Sequence, residues 1–189
     1  MTLIYGVGIN DASYPTQKRL LGKCTICPFF LRWRNMLARC YWPKFQEKNP
    51  TYVGCSVAVE WLMFSNFKRW MEQQDWQGKF IDKDALIPGN KVYGPDTCAF
   101  VDRDTNQFLN ERSSLRGTFP LGVSWHKRFN RFQAKCGNLF TKRREHLGYF
   151  DCPHEAHQAW RKRKHELAVQ LAEKQTDERV RAALLARYQ

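Results

Sequence analysis

Seven lysines and arginines crowd into one short stretch of the chain, and they are the side chains most able to do chemistry here. Residues 112–189 hold 17 basic and 7 acidic side chains, against 14 and 11 in residues 1–111. Because ammonium and guanidinium groups neutralise phosphates, this part of the chain is expected to attract a polyanion, although basic clusters also serve as solvated surface. The clustered residues are Lys127, Arg128, Arg131, Lys135, Lys142, Arg143 and Arg144.

Cysteines are the second group of side chains that could do chemistry, because their thiolates bind metal ions. Cys24 and Cys27 have Cys-x-x-Cys spacing, and Cys40, Cys55 and Cys98 are further candidate zinc ligands. All five histidines lie beyond residue 125, so a zinc site in the N-terminal part would need thiolates alone. An odd total of seven cysteines favours free thiols or a metal site over disulfides. For Cys40, Cys55 and Cys98 the alternative is that they are small buried core residues.

The overall composition bounds the class of protein. The 189 residues carry a formal net charge of +13 and are 43% hydrophobic, enough for a buried core. No apolar run approaches the roughly 18 residues of a membrane span, and no charged segment followed by an apolar stretch opens the chain. We therefore expect a cytoplasmic protein with no membrane partner.

Hydrophobic periodicity predicts helices and short strands in the N-terminal part. Apolar side chains recur on one face between Phe30 and Tyr41, with Pro28 in the first turn, and a second helix is predicted over 59–73. Short strands separated by tight turns are predicted over 79–101, followed by a short helix over 103–111. The predicted order is strand, loop, strand, helix.

Three short strands and two helices are predicted in the basic part. The strands cover 122–125, 132–136 and 146–150 as an antiparallel meander. The next helix begins with Asp151 as N-cap, and Thr176 is expected to cap a last helix from about Asp177. The apolar side of that last helix packs either on the sheet or on a second copy of the chain, so a homodimer through the C-terminal helices is one expectation.

This basic part resembles the Apetala-type, or ethylene-response-factor-type, DNA-binding domain. The resemblance implies a three-stranded sheet laid into the major groove of double-stranded DNA, with a helix packed behind it. The matching residues are Gly122, Val123, Phe132, Ala134, the run Leu147-Gly148-Tyr149-Phe150-Asp151, Glu155, Ala156 and Ala159.

Alternation along the predicted strands selects the side chains that would meet DNA. Arginine and lysine reach both guanine edges and phosphates, so specifying and positioning contacts are not separated by sequence. For Trp125, contact with DNA and packing at the sheet edge are both open. Val123, Phe132, Ala134 and Leu147 are expected to face the helix. The outward surface is expected to hold Trp125, Lys127, Arg131, Gln133, Lys135 and Arg144, with Arg128 and Arg143 as further DNA-binding candidates.

The stretch from Ile81 to Asn106 is similar to the strand–loop–strand–helix core of HNH-type (ββα-metal) homing endonucleases. This resemblance implies Mg²⁺ held by Asp82 and Asn106, and phosphodiester hydrolysis in which the metal stabilises the leaving oxygen. The plain alternative for Asp82 is a turn or surface carboxylate. The similarity rests on Ile81-Asp82-Lys83-Asp84, Gly89-Asn90, Tyr93, Pro95-Asp96-Thr97-Cys98-Ala99-Phe100-Val101 and Asn106.

The sequence departs from the nuclease resemblance at a catalytic position and at a metal position. Lys83 stands where the nuclease family has its histidine, and residues 1–111 contain no histidine. Three interpretations remain. Tyr93 or Lys83 acts as the base, a histidine reaches across from the C-terminal part, or the module is an inactive scaffold that adds DNA contacts. The chain also resembles phage-encoded proteins that join such a nuclease core to an Apetala-type domain, on the residues Cys-Pro-Phe-Phe at 27–30, Arg39-Cys40-Tyr41 and the run 61–67. Those proteins generally have a further cysteine where this chain has Ala58, so the resemblance implies a cysteine site that is one ligand short.

Two hypotheses of function follow for an α+β protein. The first is a phage or mobile-element homing or nicking endonuclease, a basic hydrolase acting in the bacterial host. The second is a non-catalytic DNA-binding regulator or an inhibitor of host DNA-processing machinery, and RNA binding is a third interpretation. The expected organisation is an HNH-like module over 1–111, a linker over 112–117, an Apetala-type domain over 118–175 and a C-terminal helix over 176–189.

Overall fold

The computed structural model describes residues 3–20, 22–110 and 118–189. The fold is mixed α+β, as predicted, and the chain divides into two compact units, Met1–Val101 and Asp102–Gln189. We call them the N-terminal unit and the C-terminal unit. The predicted linker over 112–117 and the last residue of the predicted short helix, Glu111, lie outside the described residues.

Short paired strands and three helices make up the N-terminal unit. The first two strands form an antiparallel hairpin, the third and fifth pair in parallel, and the fourth and sixth pair antiparallel. The elements are β1 (Gln17–Leu20), β2 (Lys23–Ile26), α1 (Pro28–Tyr41), α2 (Pro43–Lys48), β3 (Ser56–Val57), α3 (Phe64–Glu72), β4 (Phe80–Asp82), β5 (Val92–Tyr93) and β6 (Ala99–Val101).

The core of this unit lies between α1 and α3. Phe30 and Trp33 project from one face of α1, and the ring of Phe64 on α3 lies about edge-on to Phe30, with the ring centroids 5.4 Å apart. The indole N–H of Trp33, which is fully buried, donates to the carbonyl of Trp61 at 2.7 Å, so its polar atom is satisfied inside the core.

The second predicted helix is shorter than the sequence pattern indicated. Residues Val59–Leu62 form a 3₁₀ turn, Met63 is extended, and α3 begins only at Phe64. The carboxylate of Asp11 accepts the backbone N–H of Ser65 at 2.9 Å, so the first turn of α3 is capped from a distant part of the chain. Such a cap leaves no local signal for where the helix starts.

The C-terminal unit is a three-stranded antiparallel sheet packed on a long helix, as predicted. The strand order is β7-β8-β9, α5 packs on the sheet, and α6 packs on α5. The apolar residues Val180 and Leu184 of α6 are therefore buried within the unit. The elements are α4 (Arg103–Leu109), β7 (Val123–His126), β8 (Arg131–Asn138), β9 (Arg143–Phe150), α5 (Pro153–Ala172) and α6 (Glu178–Ala186).

Both predicted helix caps in this unit are wrong by one residue. The N-cap of α5 is Cys152, whereas Asp151 forms an ion pair with Arg131 across the sheet. The N-cap of α6 is Asp177, whose carboxylate accepts the backbone N–H of Arg179, so Thr176 does not cap it. No described helix is long and apolar enough to cross a membrane.

Candidate nucleic-acid interface

The strand register divides the side chains of the β7-β8-β9 sheet into two faces. Directly opposed residues of antiparallel strands project to the same side, so the pairs Val123–Ala134 and Cys136–Glu145 share one face, which we call the helix-facing side. The opposite side is the outward face. It holds Ser124, His126, Arg131, Gln133, Lys135, Gly137, Arg144, His146 and Tyr149.

On the helix-facing side, Glu145 of β9 and Lys164 of α5 have close partners. The guanidinium of Arg163 on α5 donates to both carboxylate oxygens of Glu145, at 2.6 and 3.1 Å, and the amide of Asn138 donates to the same group at 2.6 Å. These hydrogen bonds hold the pKa of Glu145 at about 2, below its usual 4.5. Lys164 lies 3.5 Å from the ring centroid of Phe108 and donates to its backbone carbonyl.

The cations of the outward face are exposed and largely unpaired. Arg131 pairs with Asp151, with 3.0 Å between nitrogen and oxygen. Lys135 and Arg144 on the strands, and Lys127 and Arg128 in the β7–β8 turn, have no ion-pair partner among the described residues. A row of unneutralised cations on one face of a sheet creates a positive potential that attracts polyanions.

Two predicted DNA-binding residues, Trp125 and Arg143, lie on the helix-facing side of the sheet. Trp125 opposes Phe132, with ring centroids 4.9 Å apart, so it lies on the helix-facing side although it is partly exposed. Arg143 opposes Asn138 and shares that side, whereas Arg144 faces outward. Alternation with Val123 already requires this position for Trp125, because side chains two residues apart share a face.

Gln133 is on the outward face as predicted, but it is buried there. Its amide nitrogen lies 3.1 Å from Nδ1 of His146 and donates to the hydroxyl of Tyr149 at 3.4 Å. An amide held in this way supports the neighbouring rings. The structure places the amide of Gln133 against His146 and Tyr149, and its contact with DNA stays a prediction. Leu147, expected to face the helix, is the extra residue of a β-bulge and is half-buried.

An aromatic cluster on the outward face has no counterpart in the sequence predictions. The ring of Phe129 stacks on His126, with centroids 4.8 Å apart and an interplanar angle of 17°, and lies edge-on to Tyr149 at 4.9 Å. The ring of His146 lies 4.6 Å from that of Tyr149. His146 and Tyr149 are three residues apart, so strict alternation would place them on opposite faces, and only the bulge at Leu147 brings them to the same face.

The two implied Mg²⁺ ligands, Asp82 and Asn106, belong to different units of the chain. Asp82 ends β4 in the N-terminal unit, and its Oδ1 accepts the backbone N–H groups of Asp84 and Ala85 at 2.6 and 3.0 Å. Burial raises the pKa of this carboxyl. Asn106 lies on α4 in the C-terminal unit, and its Oδ1 accepts from the amide of Asn110 at 3.0 Å. Neither unit contains both of the implied Mg²⁺ ligands.

The two proposed bases are engaged in the interior of the N-terminal unit. The ammonium of Lys83 is buried, with Nζ 2.7 Å from Oδ2 of Asp84 and 2.6 Å from the carbonyl of Asn90. Tyr93 is also buried, its hydroxyl accepts a hydrogen bond from Arg39, and burial raises its pKa far above the ordinary value. Both side chains act as structural partners, and neither is placed to remove a proton from water.

The five candidate zinc ligands fall into two environments. Cys24 is exposed on β2 and Cys27 is half-buried at the start of α1, whereas Cys40, Cys55 and Cys98 are buried. Burial raises the pKa of Cys40 and of Cys98 to about 12, which keeps these thiols neutral. Among the described residues, no three histidine, cysteine or acidic side chains are grouped to hold a metal ion.

Comparison with known proteins adds no relative. No family model matches the chain, and neither the curated proteins nor the solved structures contain a significant match.

Proposed function

We propose that this chain is a double-stranded-DNA-binding protein whose C-terminal unit contacts the duplex through the outward face of β7-β8-β9. The observation that carries this proposal is the row of cations on the outward face: Lys135 and Arg144 have no ion-pair partner among the described residues, whereas Arg163 on the other side is paired with Glu145. The resemblance to Apetala-type domains, which rests on residues of this same sheet and helix, supports it.

The dimensions of the sheet suit a groove of duplex DNA. Neighbouring strands lie about 4.8 Å apart, so three strands with their side chains span roughly the 12 Å width of the major groove. The cations on the outward face then lie near the phosphates that border the groove. Lys127 and Arg128 extend this positive surface beyond the strands, into the turn between β7 and β8.

We further propose that the N-terminal unit is a scaffold related to nucleases, without their chemistry. Support comes from Lys83 and Tyr93, whose polar atoms are engaged inside the unit. The protein then acts as a DNA-binding regulator, or as an inhibitor of host DNA-processing machinery, in the bacterial cytoplasm. The seven cysteines, none of them in a disulfide, suit that reducing compartment.

The proposal is tested by reversing charge on each side of the C-terminal unit. Replacing Lys135 and Arg144 by glutamate should weaken duplex binding by about 100-fold at low salt, because two phosphate contacts become repulsive. The matched control reverses Lys162 and Arg181, which lie on α5 and α6 away from the outward face. Fluorescence anisotropy with a labelled duplex measures both; equal losses in the two variants would contradict the proposed surface.

Incubation with supercoiled plasmid tests the role of the N-terminal unit. With Mg²⁺ or Mn²⁺ present, we expect the plasmid to be bound but to remain supercoiled. Nicking by the wild type that is lost in Asp82→Ala would overturn the scaffold proposal and support an endonuclease, while leaving the DNA-binding surface to be judged by the charge reversals.

A further inference from the structure

Phe129 is an exposed aromatic side chain at the tip of the positive surface. It lies in the turn between β7 and β8, and half of its surface, 50%, is exposed. The exposed part of the ring is available to a partner, and burial of a phenylalanine in a complex contributes roughly 2 kcal/mol. Asn130, at a positive φ of 49°, closes the turn directly after it.

Two neighbouring rings hold Phe129 in place. His126 stacks beneath it, and its Nδ1 accepts the backbone N–H of Phe129 at 3.4 Å. Tyr149 meets the ring edge-on and is itself held by Gln133. These contacts fix the direction of the ring while the remaining surface faces solvent, as a projecting wedge requires.

Cations flank this ring on the chain. The guanidinium carbon of Arg128 lies 5.8 Å from the ring centroid, and Lys127 precedes it in the same turn. Asp151, which follows β9, forms an ion pair with Arg131 of the outward face. An apolar tip between positive charges is complementary to a base step, where apolar base faces lie between two phosphate backbones.

We propose that Phe129 inserts between adjacent base pairs of bound duplex, partly unstacks them and bends the DNA. This inference rests on the proposed DNA-binding function and deepens it. Proteins that insert phenylalanine or leucine into a base step obtain a kinked duplex that contacts more protein surface. A single-strand platform would instead need several rings with free faces in a row, whereas here the stacked face of His126 is covered by Phe129.

The test compares a matched duplex with one carrying a central mismatch, both labelled at their two ends. A mismatched step is already partly unstacked, so the wild type should bind it about tenfold more tightly than the matched duplex and should raise energy transfer between the ends. Phe129→Ala should bring the affinity ratio close to one and reduce the energy transfer. Phe129→Leu, which keeps an apolar wedge, should retain most of both effects.

Phe119→Ala is the matched control, because Phe119 packs on Phe132 on the helix-facing side. It should leave the mismatch preference and the energy transfer at their wild-type values. A Phe129→Ala variant with wild-type mismatch preference and bending would overturn the wedge while leaving the binding surface intact. Absence of duplex binding by the wild type, or a preference for single-stranded RNA, would overturn the proposed function and the wedge with it.

Discussion

In the N-terminal unit the buried ammonium of Lys83 donates hydrogen bonds to the carboxylate of Asp84 and to the carbonyl of Asn90. In the C-terminal unit, by contrast, Lys135 and Arg144 are exposed and have no ion-pair partner among the described residues. The same residue type therefore has two uses. A buried cation needs acceptors and becomes part of the fold, while an exposed one keeps its charge available for a ligand.

This difference separates two sequence signals that looked equally functional. The nuclease-like positions Asp82, Lys83 and Tyr93 are partly or fully buried and hydrogen-bonded within their unit. The basic residues of the sheet remain on the surface. Side-chain type alone does not distinguish a structural cation from a binding one; its surroundings do.

The largest expected effect comes from Gly122, which is required by the packing of the C-terminal unit. A Cβ here would lie 2.0 Å from Cδ1 of the buried Trp160, and its φ of +77° is unfavourable for other residues. Gly122→Ala should lower the free energy of unfolding by at least about 3 kcal/mol and abolish duplex binding. Urea denaturation followed by fluorescence measures this change.

The control for that variant is Gly137→Ala in β8, where an added Cβ meets no atom within 4 Å. It should change the free energy of unfolding by less than about 1 kcal/mol. Similar losses in both variants would contradict the close packing of Gly122 on Trp160.

Lys83 tests the structural side of the comparison. Lys83→Ala leaves the carbonyl of Asn90 without its donor, so the free energy of unfolding should fall by about 2 kcal/mol. Duplex affinity should stay within about twofold of wild type, because Lys83 is expected to contact no DNA. Lys44→Ala, an exposed change in α2, is the control and should have little effect on either quantity. A large loss of affinity in folded Lys83→Ala would place this lysine in the interface.

The pair Glu145–Arg163 predicts how stability depends on pH. Hydrogen bonds from Arg163 and Asn138 hold the pKa of Glu145 at about 2 in the folded protein, against 4.5 ordinarily. The stabilisation is complete above pH 4.5 and is lost as the pH falls from there towards 2. We expect a loss of about 1 kcal/mol from this group over that interval, which Glu145→Gln should remove. The same pH dependence in Glu145→Gln and in the exposed control Glu155→Gln would contradict this assignment.

Thiol reactivity gives the smallest effect and reports on the core of the N-terminal unit. Burial raises the pKa of Cys40 and of Cys98 to about 12, whereas Cys24 is exposed. At pH 8 a thiol reagent should therefore modify Cys24 in the folded protein, and Cys40 and Cys98 only after denaturation. Peptide mass mapping identifies the modified sites. Rapid modification of Cys98 in the folded chain would show that the core is open.

Much of the fold follows from local pattern. The meander, the long α5 and the helix from Pro28 were predictable because hydrophobic periodicity and proline positions are local signals. The caps were not, because Asp151 is used by Arg131 on another strand and Asp11 caps a helix more than fifty residues away. Partners distant in sequence decide both positions.

The candidate site was predicted in composition but not in detail. Alternation predicts Lys135 and Arg144 on the outward face, where the structure has them. For Trp125 the predicted outward position is wrong, because it shares a side with Val123, two residues away. The burial of Gln133 beneath Tyr149 depends on a contact between strands, which the sequence of one strand does not contain. The role proposed for Phe129 depends on the geometry of the turn between β7 and β8, which the sequence alone does not show.

The salt dependence of duplex binding tests the central claim most directly. If the outward face contacts phosphates, the logarithm of the association constant falls linearly with the logarithm of salt concentration, by about 0.9 for each phosphate neutralised. Replacing Lys135 and Arg144 by alanine should then reduce this slope by about 2, while alanine at Lys162 and Arg181 leaves it unchanged. An identical slope in the wild type and both variants would contradict the assignment of this face as the DNA-binding surface.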